Sequence, residues 1–160
     1  MAGELERALF ARQVEVFVLD GDNVRLGLSS DLGFSASDRS ENTRRIAEVA
    51  RLFADAGLVA VTAFISPYAS DRERARRIAE SGAGVAFLEV YVDAPLSVCE
   101  ARDPKGLYKK ARGGQLAHFT GVTDPYEPPL HADVVLHTDR DGVEACVDQM
   151  LERLLPLIGR

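Results

Sequence analysis

The chain is poor in cysteine, in basic charge and in long apolar runs, and each scarcity removes a class of function. Cys99 and Cys146 are its only cysteines among 160 residues, and they form neither a metal-ligand spacing nor a disulfide framework. They read as small apolar residues on helices in reducing surroundings. Lysine and arginine number 19 against 25 acidic residues, a formal charge of −6. That balance argues against a general nucleic-acid binder, which carries a broad basic surface. A small anion held in a local basic pocket is still compatible with it. No apolar run approaches the roughly 20 residues of a membrane span. The opening residues 1–12 are charged and helical in pattern, unlike a signal peptide. A cytoplasmic protein with no membrane or nucleic-acid partner is therefore expected. Internal repeats and linkers are also lacking, so residues 1–160 are read as a single domain.

What is present is an ordinary globular balance, 46% apolar and 28% charged, enough to bury a sizeable core at this length. Leu5, Ala8 and Leu9 share one face of a short amphipathic helix ending near Arg12. Residues 14–19 read as a buried strand that runs into Asp20-Gly21-Asp22-Asn23. Residues 38–56 have a helical period, with Gly57 placed to end it. Residues 58–65 form a continuous apolar run, the pattern of a strand covered on both faces. Ser70 and Glu73 form a capping box opening a helix to about Glu80. A third strand is expected over 87–92, with Pro95 in the first turn of the next helix, then a short strand at 134–136 and a closing helix over 143–158. Between them, about 103–129, Gly and Pro interrupt every pattern, and a loop this long reads as a functional lid. Alternating strands and helices predict parallel βαβ units and an α/β fold.

In such sheets ligands bind beyond the carboxyl ends of the strands. Strand one ends in Asp20, Asp22, Asn23 and Arg25, strand two in Ser66-Pro67-Tyr68, strand three in Asp93. The first cluster suits an ion or a sugar, and equally a tight turn. In the long helix Ile46, Val49 and Phe53 form the buried stripe, which continues backwards to Asn42 and Arg39. An amide and a guanidinium on that line would cost several kcal/mol without partners. They face a polar ligand, or else Arg39 pairs with Asp20 or Asp22. The lid is locally basic, with Arg102, Lys105, Lys109, Lys110 and Arg112 near only one acid, Asp103. Such a run is either a solvated face or a set of mobile cations that close over phosphates. Phe34 and Phe119 lie in polar loops, either to stack on a base or to fold back onto the domain. Ser66 precedes a proline at a strand end and is held extended; as a loop-start serine it is more a turn residue than a nucleophile. His118, His131 and His137 show no ligand spacing and no paired carboxylate.

Taken together, several blocks resemble the adenylylsulfate (APS) kinases. They are Leu19-Asp20-Gly21-Asp22-Asn23-Val24-Arg25, Asp31-Leu32-Gly33-Phe34-Ser35, Asp38-Arg39-Ser40-Glu41-Asn42-Thr43-Arg44-Arg45 and Phe64-Ile65-Ser66-Pro67-Tyr68. The lid adds Arg102-Asp103-Pro104-Lys105-Gly106-Leu107-Tyr108-Lys109-Lys110-Ala111 and Phe119-Thr120-Gly121. The resemblance implies a three-layer, P-loop kinase-like parallel sheet flanked by helices, and transfer of the ATP γ-phosphate, with Mg²⁺, to the 3′-hydroxyl of APS. It implies that Asp22, Asn23, Arg25, Phe34, Arg39, Asn42, Ile65, Ser66, Lys105 and Phe119 contact APS, with the phenylalanines stacked on its adenine and the arginines on its phosphosulfate. Asp22 would orient or deprotonate the hydroxyl, and Arg102, Lys109 and Lys110 would lie against ATP. Ser66 matches a serine that bacterial members can carry as phosphoserine; it is placed in the site but not as an obligatory intermediate. A homodimer and a link to ATP sulfurylase also follow from the resemblance. One family feature is missing: no Gly-x-x-x-x-Gly-Lys-Ser/Thr occurs in the sequence. Residues 3–10 look like the later part of the helix after that loop, so the first central strand and the loop are expected ahead of Met1, leaving a gap in the sheet. The alternative implied is a domain that binds APS or its 3′-phosphorylated product without turnover.

Overall fold

A computed structural model describes residues 1–82 and 84–159 of the chain. Helix α1 (Ala2–Phe10) leads into strand β1 (Val16–Asp20), short helix α2 (Gly21–Leu26) and the long helix α3 (Ala36–Asp55). Strand β2 (Val59–Ala63), helix α4 (Ala69–Glu80), strand β3 (Val90–Asp93) and helices α5 (Leu96–Arg102) and α6 (Leu107–Arg112) follow. Strand β4 (Val134–His137), helix α7 (Val143–Leu154) and a final 3₁₀ turn (Leu155–Ile158) complete the order.

The apolar periods explain the layers. Leu5 and Leu9 of α1 and Cys146, Val147, Met150 and Leu151 of α7 enclose Val134 and Leu136 of β4 in one core, against which Val16, Val59, Val61 and Val90 also pack. On the opposite side Ile46 of α3 meets Leu19 and Val24, supported by Val49, Phe53 and Phe64. The result is an α/β arrangement of helix, sheet and helix. β1 pairs with β2 in parallel, Val16 opposite Val59, and β3 pairs with β4 in parallel, Val90 opposite Val134. The two pairs share the first core, yet among the described residues no strand pairing joins them. The strands thus stand as two separate parallel pairs.

Several local expectations are corrected. The run at 58–65 yields only a five-residue strand, and its last two residues, Thr62 and Ala63, are exposed rather than covered. Residues 87–89 lie outside β3, because the Glu89 amide is spent on the Asp133 carboxylate at 2.7 Å. Helix α4 starts after Tyr68 with no side-chain cap, so Ser70 and Glu73 form no capping box. The Ala69 amide is bound instead by Glu127 Oε2, at 2.7 Å, from the lid. Asp20-Gly21-Asp22-Asn23 is no simple turn: Asp20 Oδ1 accepts the Asn23 amide at 2.8 Å and caps α2. The lid is partly helical, because Asp103 accepts the amides of Tyr108 and Lys109 and starts α6. Gly57 does stand beyond the end of α3, with φ +91°, a conformation a side chain would strain.

Candidate functional site

The carboxyl end of β1, the first turn of α3 and the lid meet on one side of the molecule. Ser35 caps α3, accepting the Asp38 amide, which fixes where the helix begins and hence where Arg39 and Asn42 point. Asn42 is 5% exposed, and its Oδ1 has no hydrogen-bond partner. A buried acceptor left bare costs about 1–3 kcal/mol, so the position suits a ligand that donates to it. Arg39 does not pair with Asp20 or Asp22. Its Nε donates to the Phe34 carbonyl at 3.0 Å and its Nη2 to the His118 carbonyl at 2.5 Å, the latter 79 residues away in the lid.

Phe34 is the meeting point of two cations. It is 55% exposed, with the Arg25 guanidinium 4.3 Å and the Arg39 guanidinium 5.6 Å from its ring centre. Arg25 also donates to the Leu32 and Gly33 carbonyls at 3.0 and 2.9 Å. Burial first, then the charge of Arg39, lowers the Arg25 pKa, with Asp38 opposing in part. Two guanidiniums lie against one aromatic ring, and their hydrogen bonds go to carbonyls rather than to a carboxylate. Such a pair favours a bound anion, which would relieve the mutual repulsion and use the remaining donors.

From the lid, Lys105 Nζ lies 2.9 Å from Asp22 Oδ2, an ion pair over 83 residues that brings the lid to the end of β1. Both partners are well exposed, so the pair is weak and open to exchange for a ligand. Asn23 reaches back to Asp20 Oδ2 at 3.3 Å. Phe119 packs edge-on against Tyr108, ring centres 5.1 Å apart, and its carbonyl accepts the Val122, Thr123 and Asp124 amides in a tight turn. Ile65 is 59% exposed, and Ser66 takes up φ +43° rather than the extended conformation expected before proline. Arg102 donates to the Thr138 carbonyl at 2.6 Å, while Lys109 and Lys110 are exposed on α6.

The lid cations have more acids near them than their sequence neighbours suggest: Arg112 pairs with Glu100 and Lys105 with Asp22. Two histidines also have paired carboxylates after all, His118 with Asp124 at 3.4 Å and His137 with Asp93 at 3.2 Å. Only the folded chain brings these partners together.

The model for adenylylsulphate kinase matches residues 1–137. The chain belongs to the adenylylsulphate kinase family. An adenylyl-sulfate kinase of Marinobacter nauticus is 54% identical over 154 residues, 96% of this chain and 76% of the relative. That of Clostridium acetobutylicum is 50% identical over 154 residues, 96% of this chain and 75% of the relative. Among solved structures, the APS kinase CysC of Mycobacterium tuberculosis in complex with AMPPNP and APS superposes with a TM-score of 0.87 at 45% identity, covering 99% of this chain and 88% of that one. A hexameric APS kinase from Thiobacillus denitrificans gives 0.66 at 31% identity, over 95% of this chain and 26% of that one. The parallel α/β architecture is thus that of the adenylylsulphate kinases. Among the described residues no helix is long and apolar enough to cross a membrane.

In this family member the first turns of α3 are braced electrostatically. Arg45 donates to both carboxyl oxygens of Asp31, at 2.6 and 2.9 Å, and to Glu41 and the Leu28 carbonyl. Hydrogen bonds from Arg44 and Arg45 hold the Glu41 carboxyl down at about 2. A depressed carboxylate pKa gives stability that is complete above the ordinary value near 4.5 and is lost as pH falls toward 2. The urea midpoint is therefore expected to drop between pH 5 and pH 3, and Glu41→Gln to flatten that drop. An equal slope in the variant would show that Glu41 is not part of the brace.

Proposed function

We propose that the cleft between β1, α3 and the lid binds APS and presents its ribose 3′-hydroxyl for phosphorylation by ATP. The observation that carries this reading is the pair of guanidiniums, Arg25 and Arg39, set against the half-exposed ring of Phe34. Adenine stacks on Phe34, with Phe119 closing from the lid, and the phosphosulfate takes the free donors of the arginines. The bare Asn42 Oδ1 accepts a hydrogen bond from the ligand, and Asn23, Ile65 and Ser66 line the remaining wall. Asp22 orients the 3′-hydroxyl once Lys105 shifts from it to the ligand. Arg102, Lys109 and Lys110 face the nucleotide that donates the phosphate. The resemblance to APS kinases supports each of these assignments at the matching position.

Catalysis of phosphoryl transfer is mostly positioning and charge stabilisation, and the residues named supply the acceptor's half of it. Mg²⁺ enters as part of the Mg-ATP co-substrate. Among the described residues no group of three or more His, Cys, Asp or Glu side chains could hold an ion, and Asp20 is already occupied as a helix cap. The residues present therefore do not fit a resident metal, and Mg²⁺ would arrive on the ATP phosphates and neutralise their charge there. The sequence contains no Gly-x-x-x-x-Gly-Lys-Ser/Thr. That fact favours a second reading for these 160 residues alone: a domain that binds APS or its 3′-phosphorylated product without turnover. A cytoplasmic homodimer working alongside ATP sulfurylase fits either reading.

Calorimetric titration of the 160-residue chain separates these ligands. APS is expected to bind saturably and more tightly than AMP, which lacks the sulfate that the second guanidinium would hold. Equal affinity for both would remove the role given to the arginine pair.

A further inference from the structure

Arg72 takes no part in the site built above, yet all three of its guanidinium nitrogens are committed at the site's edge. Its side chain is 12% exposed. Nε donates to Glu89 Oε1 at 2.7 Å, Nη1 to the Ser66 carbonyl at 2.8 Å and Nη2 to the Glu127 carbonyl at 2.8 Å. One planar group on α4 thus joins the turn after β2, the segment entering β3 and the returning end of the lid. The lid segment closes the ring from its own side. The Glu127 amide donates to the Pro67 carbonyl at 2.8 Å, and Glu127 Oε2 accepts the Ala69 amide at 2.7 Å.

The conformation of Ser66 needs such a bracket. Its φ is +43°, a region that is strained for any side chain and further disfavoured before proline. Strained backbone persists only where its surroundings over-determine it. Here the surroundings are the Arg72 donor on the Ser66 carbonyl and the Glu127 bonds on either side of Tyr68. We propose that Arg72 is a positioning residue for APS, coupling the Ser66 turn to the lid's return so that both walls of the site are set together. This rests on the reading that the cleft takes APS.

The guanidinium fork is essential to that role. A lysine keeps the charge beside Glu89, but its single nitrogen cannot reach three acceptors spread around a planar group. Arg76, one turn later on α4, is the internal control. It pairs with Asp133 at 2.6 Å and lies over the Phe87 ring at 4.7 Å, and among the described residues its hydrogen bonds and ion pairs go to Phe87, Asp133 and Glu80, away from Ser66 and the lid. The test compares Arg72→Lys with Arg76→Lys in the full chain, reading APS affinity by calorimetry and amide exchange of Ala69 and Glu127 without ligand. Arg72→Lys is expected to weaken APS about tenfold, the equivalent of about 1.4 kcal/mol, and to speed exchange at both amides. Arg76→Lys should leave both readouts nearly unchanged. Faster exchange with unaltered APS affinity would make Arg72 merely structural and overturn the proposal, as would two indistinguishable variants. Should the parent chain not bind APS at all, the reading of the cleft fails. The exchange comparison then decides the coupling by itself, and unaltered protection in Arg72→Lys overturns it. Glu127→Ala, at an exposed side chain, opens the same bracket from the lid if Arg72→Lys does not fold. It should weaken APS about threefold, the loss of one modest hydrogen bond, and no change would count against the coupling.

Discussion

Arg39→Ala is expected to weaken APS binding by about 1.5–3 kcal/mol, the worth of a charge-assisted hydrogen bond, or roughly ten- to a hundredfold. The residue has two jobs that fail together. It places positive charge over Phe34 beside Arg25, and it ties α3 to the lid through the His118 carbonyl. Alanine removes the charge and frees the lid, so affinity should fall and exchange of the 118–124 turn should rise. The fold should survive, since the core stripe of α3 begins at Asn42 and Ile46, both buried without Arg39's help. Arg39→Lys should recover only part of the loss, because an ammonium lacks the planar fork whose Nε and Nη2 reach the Phe34 and His118 carbonyls separately. Unchanged APS affinity with a lowered melting temperature would reassign Arg39 to the fold.

The second expectation concerns turnover. These 160 residues, given APS and Mg-ATP, should form no 3′-phosphorylated product above the uncatalysed rate, a deficit of at least several orders of magnitude against an ordinary enzyme. In-line transfer needs the β- and γ-phosphates held still, which the backbone amides and lysine of a glycine loop do in P-loop enzymes. No segment with that pattern occurs in the sequence. APS binding should gain little from added Mg-ATP for the same reason. Steady product formation, dependent on ATP and abolished by Asp22→Asn, would show that the nucleotide is held by residues assigned here to other roles.

Much of this was legible in the sequence because the signals are local. The stripe Ile46, Val49, Phe53 fixed the inward face of α3, and running it backwards placed Asn42 correctly, at 5% exposure. Gly57 likewise marked the helix end through its left-handed backbone. Non-local contacts were out of reach. Nothing in the neighbourhood of Asp22 points to Lys105, and nothing near His137 points to Asp93, until parallel pairing of β3 with β4 aligns them. The segment Ser70-Asp71-Arg72-Glu73 has the residues of a capping box and a charged surface turn. Tertiary partners override it: Asp71 is buried and accepts the Ser40 hydroxyl at 2.6 Å, while Arg72 turns inward to Ser66, Glu89 and Glu127. The rule for residues before proline predicts an extended Ser66, and those same contacts hold it left-handed instead.

The measurement that tests the account most directly is an NMR titration of the chain with APS, following the Nε–H signals of Arg25 and Arg39 and the ring protons of Phe34 and Phe119. All four should move saturably along one binding curve: the arginines because an anion joins their donors, the rings because a base stacks on them. A saturable response elsewhere in the protein, with these four groups unmoved, would contradict the placement of APS in this cleft.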